Sequence, residues 1–358
     1  MRLLTGFPGF LGSEFVSRLL KNTDARFLLL IQKKFEKEAR DRILRLESSI
    51  PGASGRIDTI FGDITLPHLG IENDPRLKEV TEVDHFAAVY DLNVAEDLAR
   101  LVNVEGTRNV LGLIKSLPGF RCLHYVSTCY VSGRFNGVFR EADLELSQSF
   151  NNFYESTKYE AEVLVQNEMK SGLRAAIYRP AIVVGDSCTG ETGKYDGPYF
   201  VLQWILRQGR NAILPEIGNP ESFRINLVPS NYVLDAMAFL ATKESSAGKT
   251  FQLADPSPLT IKEVVDLFAK HLGKKIIRIP LPKSFAKAAI AGIPGLESWL
   301  GIPRSSLDYF THPTGYEVSQ TLQALQGSGI ACPPFADYVK ALIDYRIRNP
   351  DLRTKAMI

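Results

Sequence analysis

Cysteine is scarce in this chain. Its 358 residues hold four, Cys122, Cys129, Cys188 and Cys332. None forms a CxxC pair, and no His/Cys cluster has zinc-ligand spacing, so neither a disulfide framework nor a metal site is expected; the reducing cytoplasm fits best. An excess of one charge is also missing. Lys and Arg total 42 against 40 Asp and Glu, a formal net charge of +2, which argues against nucleic acid as the main partner. Long apolar runs are lacking too. The most membrane-like segment, AAIAGIPGLESWLGIP (288–303), is broken by Gly, Pro and Glu297, too short and too interrupted to span a bilayer. It reads as a buried or lid-forming helix, with a peripheral membrane contact as the alternative. The opening MRLLTGFPGF has no signal-peptide pattern, and no internal repeat or low-complexity tract is present.

What is there is a rhythm. RLLT (2–5), RFLLLI (26–31), RIDTIF (56–61), VDHFAAV (83–89) and RCLHYVST (121–128) read as buried strands. Between them SEFVSRLLK (13–21), FEKEARDRILRLE (35–47) and a long segment at 92–117 carry helical spacing. Strand and helix alternating in this way predict an α/β fold, a Rossmann-type doubly wound parallel sheet. LRAAIYRP (173–180) and TFQLAD (250–255) add late strands, whereas IVVGDSCTGETGKYDGPYF reads as loop. LTIKEVVDLFAKHLG (259–273) and KIIRIPLP (275–282) suggest a second lobe. Residues 1–185, rejoined by 225–255, are expected to form the dinucleotide-binding part. Residues 186–224 and 256–358 would form a smaller mixed α/β substrate lobe.

TGFPGFLG sets Gly6, Gly9 and Gly12 three apart, between the first strand and the first helix. Glycine allows a tight turn and lets a phosphate reach backbone N–H groups, while the helix N-terminus offers unpaired donors to a pyrophosphate. Phe10 and Leu11, which open that helix, join the three glycines as candidate dinucleotide contacts. An NAD-selective site usually ends its second strand in an acid that bonds the ribose 2′-hydroxyl. Here that place holds Gln32, followed by Lys33 and Lys34, with Arg42 on the next helix. These cations suit a 2′-phosphate, so NADP(H) is favoured over NAD(H), which remains open. Otherwise the cations are a solvated helix start.

NNFYESTKYEAE places Tyr154 and Lys158 one helical turn apart. Two readings compete. The pair decorates a surface helix, or the ammonium lowers the phenol's pKa so that it can move a proton near neutral pH.

Taken together, the glycine turn and the Tyr/Lys pair resemble the extended short-chain dehydrogenase/reductase family over nearly the whole length. The resemblance assigns Asp63 and Ile64 of GDI to the adenine end and Ala87 and Ala88 of HFAAV to the cofactor's flank. NVEGT (103–107) resembles the family's following helix. HYVSTCYVSG implies Thr128 as the residue that hydrogen-bonds the reacting oxygen, and YRPAIVVG implies that Pro180 and Ile182 border the nicotinamide. Tyr154 would be the proton donor, and Lys158 would also hold the nicotinamide ribose. TGFPGFLG, STCYVSG, YESTKYEAE, RPAIVVGDSCTGETGKYDGPYF and NLVPSNYVLDAM point to the thioester reductase and fatty acyl-CoA reductase branch, also called male-sterility-like. One departure is IQKK at the second strand's end, where that branch has a V-R-A-like segment. Residues 283–358 are too divergent to transfer substrate contacts.

The function implied is an NADPH-dependent reductase of an acyl thioester, carried by CoA or a carrier, or of the related aldehyde or ketone. No adenylation or carrier domain is recognised, so the thioester is expected from outside. Alternatives are a nucleotide-sugar epimerase or dehydratase with retained NAD and, in another class, a non-catalytic dinucleotide sensor. Strand alternation turns Cys129 away from Thr128 and into the core, and His85 and His124 read as packed strand residues. Arg224 either meets an anionic substrate or makes a salt bridge. The helices at 92–117 and 152–170 would pair in a homodimer, as in many members of the family.

Overall fold

The computed structural model describes residues 1–217, 219–281 and 304–352. The apolar segment at 288–303 lies outside them. In chain order the strands are β1 (Arg2–Thr5), β2 (Phe27–Ile31), β3 (Ile57–Phe61), β4 (Glu82–His85), β5 (Cys122–Val126), β6 (Gly137–Phe139), β7 (Ala175–Pro180), β8 (Ile182–Val184), β9 (Asn211–Ile217), β10 (Leu227–Pro229), β11 (Lys249–Leu253), β12 (Lys275–Leu281) and β13 (Thr314–Tyr316). Seven of them make one parallel sheet in the order β3-β2-β1-β4-β5-β7-β11. β2 is buried at every position because helices cover both faces, which is why FLLLI is apolar without alternation. On one face α1 (Phe10–Asn22) lays Phe15, Val16 and Leu19 beside Val233 and Met237 of α7 (Ser230–Leu240). On the other, α4 (Gly106–Ile114) and α5 (Phe153–Lys170) meet through Val110, Leu113, Ala161 and Val165. The strand order reverses between β1 and β4, so their carboxyl ends open the crevice where such sheets bind ligands.

A third core lies outside the main sheet, where α6 (Pro198–Leu206), α8 (Ile261–Leu272) and the helix Phe335–Arg348 pack on β9. α8 starts on a reciprocal cap, Thr260 with Glu263, and ends on left-handed Gly273, the start and stop signals its sequence carries. β8 pairs with β10, and β9 with β12, outside the main sheet.

Three expectations change. HFAAV leaves the sheet after His85, where Phe86 N–H still bonds Thr5 O at 3.2 Å and Ala87 N–H bonds the Thr5 hydroxyl at 3.2 Å. The chain is thereby turned into the crevice instead of extending to 89. The helix expected from 92 starts as α3 (Glu96–Ala99) and widens to π spacing over Arg100–Glu105. There Asn103 accepts from Val89 N–H at 2.9 Å and donates to the Thr157 hydroxyl at 3.0 Å. Tertiary partners of one side chain thus override the local helical register. The segment read as loop after Pro180 contains β8 and runs into α6.

Candidate active site

At the crevice, Gly6 takes φ +93°, and a Cβ there would fall 2.7 Å from Ala87 N, so only glycine lets β1 turn against β4. A Cβ at Gly12 would lie 2.9 Å from Gly6 O, which is how closely α1 packs on the turn. Gly9 is the helix N-cap and supplies no side-chain cap, and the first turn carries no acid. Phe10 and Leu11, both half-buried, therefore keep backbone donors unmatched within the helix. That uncapped, acid-free N-terminus fits a pyrophosphate. Ala87 and Ala88 lie half-buried just beyond β4, against the turn.

At the end of β2, Gln32 donates to Asp63 at 2.7 Å, and Asp63 also accepts from Thr65 N–H and hydroxyl at 2.9 Å. Ile64 is buried against Gly106 of α4. Lys33 is 74% exposed, pairs with Glu36 at 2.8 Å and lies over Phe61 at 4.3 Å. Lys34 sits over Phe35 at 5.2 Å, and Arg42 lies half-buried on α2 (Glu36–Ser49).

Tyr154 and Lys158 do not decorate a surface. They are 8% and 3% exposed on the buried edge of α5. Thr128 lies near enough to the Tyr154 phenol to lower its pKa; its hydroxyl caps the turn after β5 by accepting from Tyr130 N–H and lies 3.4 Å from Pro180 O. The Lys158 ammonium points to β5 instead, donating to the Tyr125 hydroxyl at 3.0 Å and to Val126 O at 2.8 Å. Ile182, at the start of β8, faces the same cavity as Tyr154.

The electrostatics reverse one expectation. Burial pushes the Tyr154 phenol up from its ordinary value, the nearby Thr128 hydroxyl opposes this, and the Glu155 and Asp196 carboxylates add to it. Desolvation outweighs any lowering because the ammonium is turned toward the strand. Burial also lowers Lys158 to about 7, with Glu162 one turn further on pulling it upward.

That lowering has a sign that can be checked. Between about pH 7 and the ordinary lysine value the unfolded chain binds the proton that the native site refuses, so stability rises with pH there. The unfolding free energy of the native protein, minus that of Lys158→Met, should climb by up to roughly 1.4 kcal/mol per pH unit across that window. Urea melts at several pH values measure it, and a flat difference would refute the buried, weakly basic amine.

Several site residues escaped the sequence reading. Tyr154 opens into a cavity of about 70 Å³ lined by Tyr90, Tyr130, Ile182, Val201, Val265, Phe268, Tyr309 and other apolar side chains. Tyr90 meets the Tyr154 ring edge-on at 5.0 Å and lies under Lys194 at 4.4 Å. Glu162 could have been found, since it continues the Tyr154–Lys158 edge at the same spacing. Tyr309 left no signal. The remaining candidates are packed: Cys129 donates to Arg179 O at 3.0 Å, His85 lies 2.7 Å from the Thr5 hydroxyl, and His124 lies 3.0 Å from both the Tyr178 hydroxyl and Glu82. Arg224 donates to Pro258 O at 2.6 Å and is absent from the cavity lining.

A sheet of this order, with a glycine turn at its crevice, is the frame of the NAD(P)-dependent oxidoreductases of the extended short-chain dehydrogenase/reductase type, and this chain is one of them. More narrowly, residues 4–237 match the male sterility protein family, to which the chain belongs. It is 26% identical over 385 residues to isonitrile lipopeptide synthase of Streptomyces coeruleorubidus, covering 99% of this chain and 25% of that protein. To fatty acyl-CoA reductase wat of Drosophila melanogaster it is 27% identical over 272 residues, covering 65% of this chain and 52% of the relative. The chain therefore spans only part of either relative. Among solved structures, the terminal R domain from the myxalamid PKS-NRPS biosynthetic pathway matches with TM-score 0.83 and 28% identity, over 99% of this chain and 92% of that one. No helix among the described residues is long and apolar enough to cross a membrane.

Proposed function

We propose that this protein reduces the carbonyl of an acyl thioester with NADPH, with Tyr154 as the general acid; the related aldehyde or ketone is the alternative substrate. One observation carries the reading. The Tyr154 phenol, with Thr128 beside it, borders a cavity in which no Lys, Arg, Asp or Glu is found among the described lining residues. Such walls suit a hydrocarbon acyl group and offer nothing to the diphosphate of a nucleotide sugar. The names of the acyl-CoA reductase and R-domain relatives point the same way.

The nicotinamide, when bound, supplies the hydride. Gly6, Gly9 and the N-terminus of α1 would hold its pyrophosphate, and Lys33 and Arg42 would meet a 2′-phosphate where Gln32 replaces the usual acid. Tyr154 is fully protonated near neutral pH because burial raises its pKa, the form a reduction needs for donating to the carbonyl oxygen. Thr128 orients that oxygen with a second hydrogen bond. The resulting hemithioacetal expels a thiol and leaves an aldehyde, and a second reduction would give an alcohol. Lys158 is held by Tyr125 and Val126, and because burial leaves it only partly protonated near neutral pH, it balances the charge the phenol acquires only in its protonated fraction.

The test is NADPH consumption against acyl-CoAs, aldehydes, ketones and nucleotide sugars, with products identified by mass. Oxidation with acyl-CoA and release of free CoA is the expected result. Tightly held NAD and no net NADPH oxidation would overturn it in favour of an epimerase.

A further inference from the structure

Glu155 is fully buried beside the phenol and takes no part in holding a dinucleotide or donating a proton. Its carboxylate accepts from the Tyr309 hydroxyl at 2.6 Å, from Asn151 N–H at 2.8 Å and from the Asn151 amide at 3.1 and 3.2 Å. Asn152, the N-cap of α5, accepts from Glu155 N–H at 3.0 Å and donates to the same Tyr309 hydroxyl at 3.0 Å. One phenol from more than 150 residues away is thus gripped on both sides of Tyr154's own helical turn. Its ring stands edge-on to Tyr130 at 4.8 Å, and Tyr130 in turn meets His312 at 5.1 Å. Downstream, β13 pairs with β6, which follows the Thr128 loop. Tyr309 and Phe310 both line the cavity at Tyr154.

We infer that Tyr309 is a specificity-determining residue, and that Glu155 and Asn152 are positioning residues that fix it as the wall of the acyl pocket next to the reacting carbonyl. The inference rests on the acyl-pocket reading above. A buried carboxylate is costly unless its lone pairs are filled, and here a pocket-wall hydroxyl fills one of them. Because both of its hydrogen bonds are spent on α5, Tyr309 presents its ring and not its hydroxyl to the substrate. The wall is therefore apolar and immobile, and it selects acyl groups that are uncharged and slim beside the carbonyl carbon. Bulk at the α-carbon meets the ring.

Tyr309→Phe removes only the hydroxyl. KM for an unbranched acyl-CoA should rise about ten-fold while kcat falls no more than about three-fold, the signature of lost ground-state positioning. Glu155→Ala should raise KM similarly, the double variant no further, because residues acting through one bond are not additive. Glu155→Gln, which still accepts from Tyr309, should restore part of the loss. Tyr309→Ala should shift relative kcat/KM toward α-branched acyl groups. A wild-type KM in Tyr309→Phe, or additive effects of the two single changes, overturns the inference. Should Glu155→Ala fail to fold, Tyr309→Phe alone decides. Binding of S-decyl coenzyme A, a thioether that cannot be reduced, separates this idea from the reaction itself. A dissociation constant about ten-fold weaker in Tyr309→Phe supports the positioned wall even if no thioester is turned over, and an unchanged one refutes it.

Discussion

Replacing Tyr154 with Phe should lower kcat/KM for an acyl-CoA by roughly 10²–10⁴-fold, the range that a positioned proton donor contributes, while NADPH affinity stays within about two-fold. The change removes one oxygen from a ring whose packing against Tyr90 and in the cavity wall is unaltered, so the fold and the glycine turn keep their geometry. The alkoxide left by hydride arrival then has only Thr128 to lean on, and water is kept out by apolar walls. Because burial raises the phenol's pKa, the native activity should not decline through loss of the Tyr154 proton at neutral pH. Stopped-flow single turnovers and fluorescence titration with NADPH measure the two halves of this expectation. Near-native turnover by Tyr154→Phe would remove Tyr154 as the acid.

The largest stability effect is expected beneath the site. Glu162 and Arg179 are both fully buried and joined at 2.6 Å, with a second contact from Arg179 Nε at 3.0 Å. Glu162 also accepts from the Ser127 hydroxyl and from Gln166 at 3.0 Å, and Arg179 reaches Asp143 O at 2.8 Å and the carbonyls of Arg140 and Glu141 at 3.4 Å. Every strong donor and acceptor is occupied, so truncating one partner strands a charge with no water to receive it. Glu162→Ala should cost roughly 3–5 kcal/mol in urea unfolding, whereas replacing both partners by apolar residues of similar volume should recover most of it. A loss under about 1 kcal/mol would mean that water or a local shift relieves Arg179. The pair also ties β7 to α5 and, through Ser127, to the strand end beside Thr128. The same carboxylate is what draws Lys158 upward against its burial, so Glu162 couples the frame to the site's charge.

Much of this arrangement was legible beforehand because it is local. The glycine turn is marked by its neighbours, a strand followed at once by a helix, although what crowds a Cβ at Gly6 is Ala87, beyond β4. Tyr154 and Lys158 share an edge because helical spacing puts them there; Cys129 is buried as expected, but it lies in the turn after β5 and not on an alternating strand. What failed was anything that depended on a distant partner. HFAAV is apolar enough for a strand, yet Thr5 draws it out of the sheet. The 92–117 pattern is helical, yet Asn103 bonds across to Val89 and Thr157 and widens its turn. The ammonium was expected to act on the phenol, but Tyr125 and Val126 hold it toward β5.

From its sequence alone, then, the chain settled the doubly wound sheet, the glycine turn and the helix edge that carries the phenol and the amine. Those rest on short-range rules: periodicity, backbone freedom at glycine and side chains four apart on one helix. Only the tertiary structure decided which way the phenol's pKa moves, that a buried ion pair underlies the helix, and that Tyr309 reaches back to Glu155. Desolvation and packing depend on what the rest of the chain places nearby, and no spacing between neighbours in sequence encodes that.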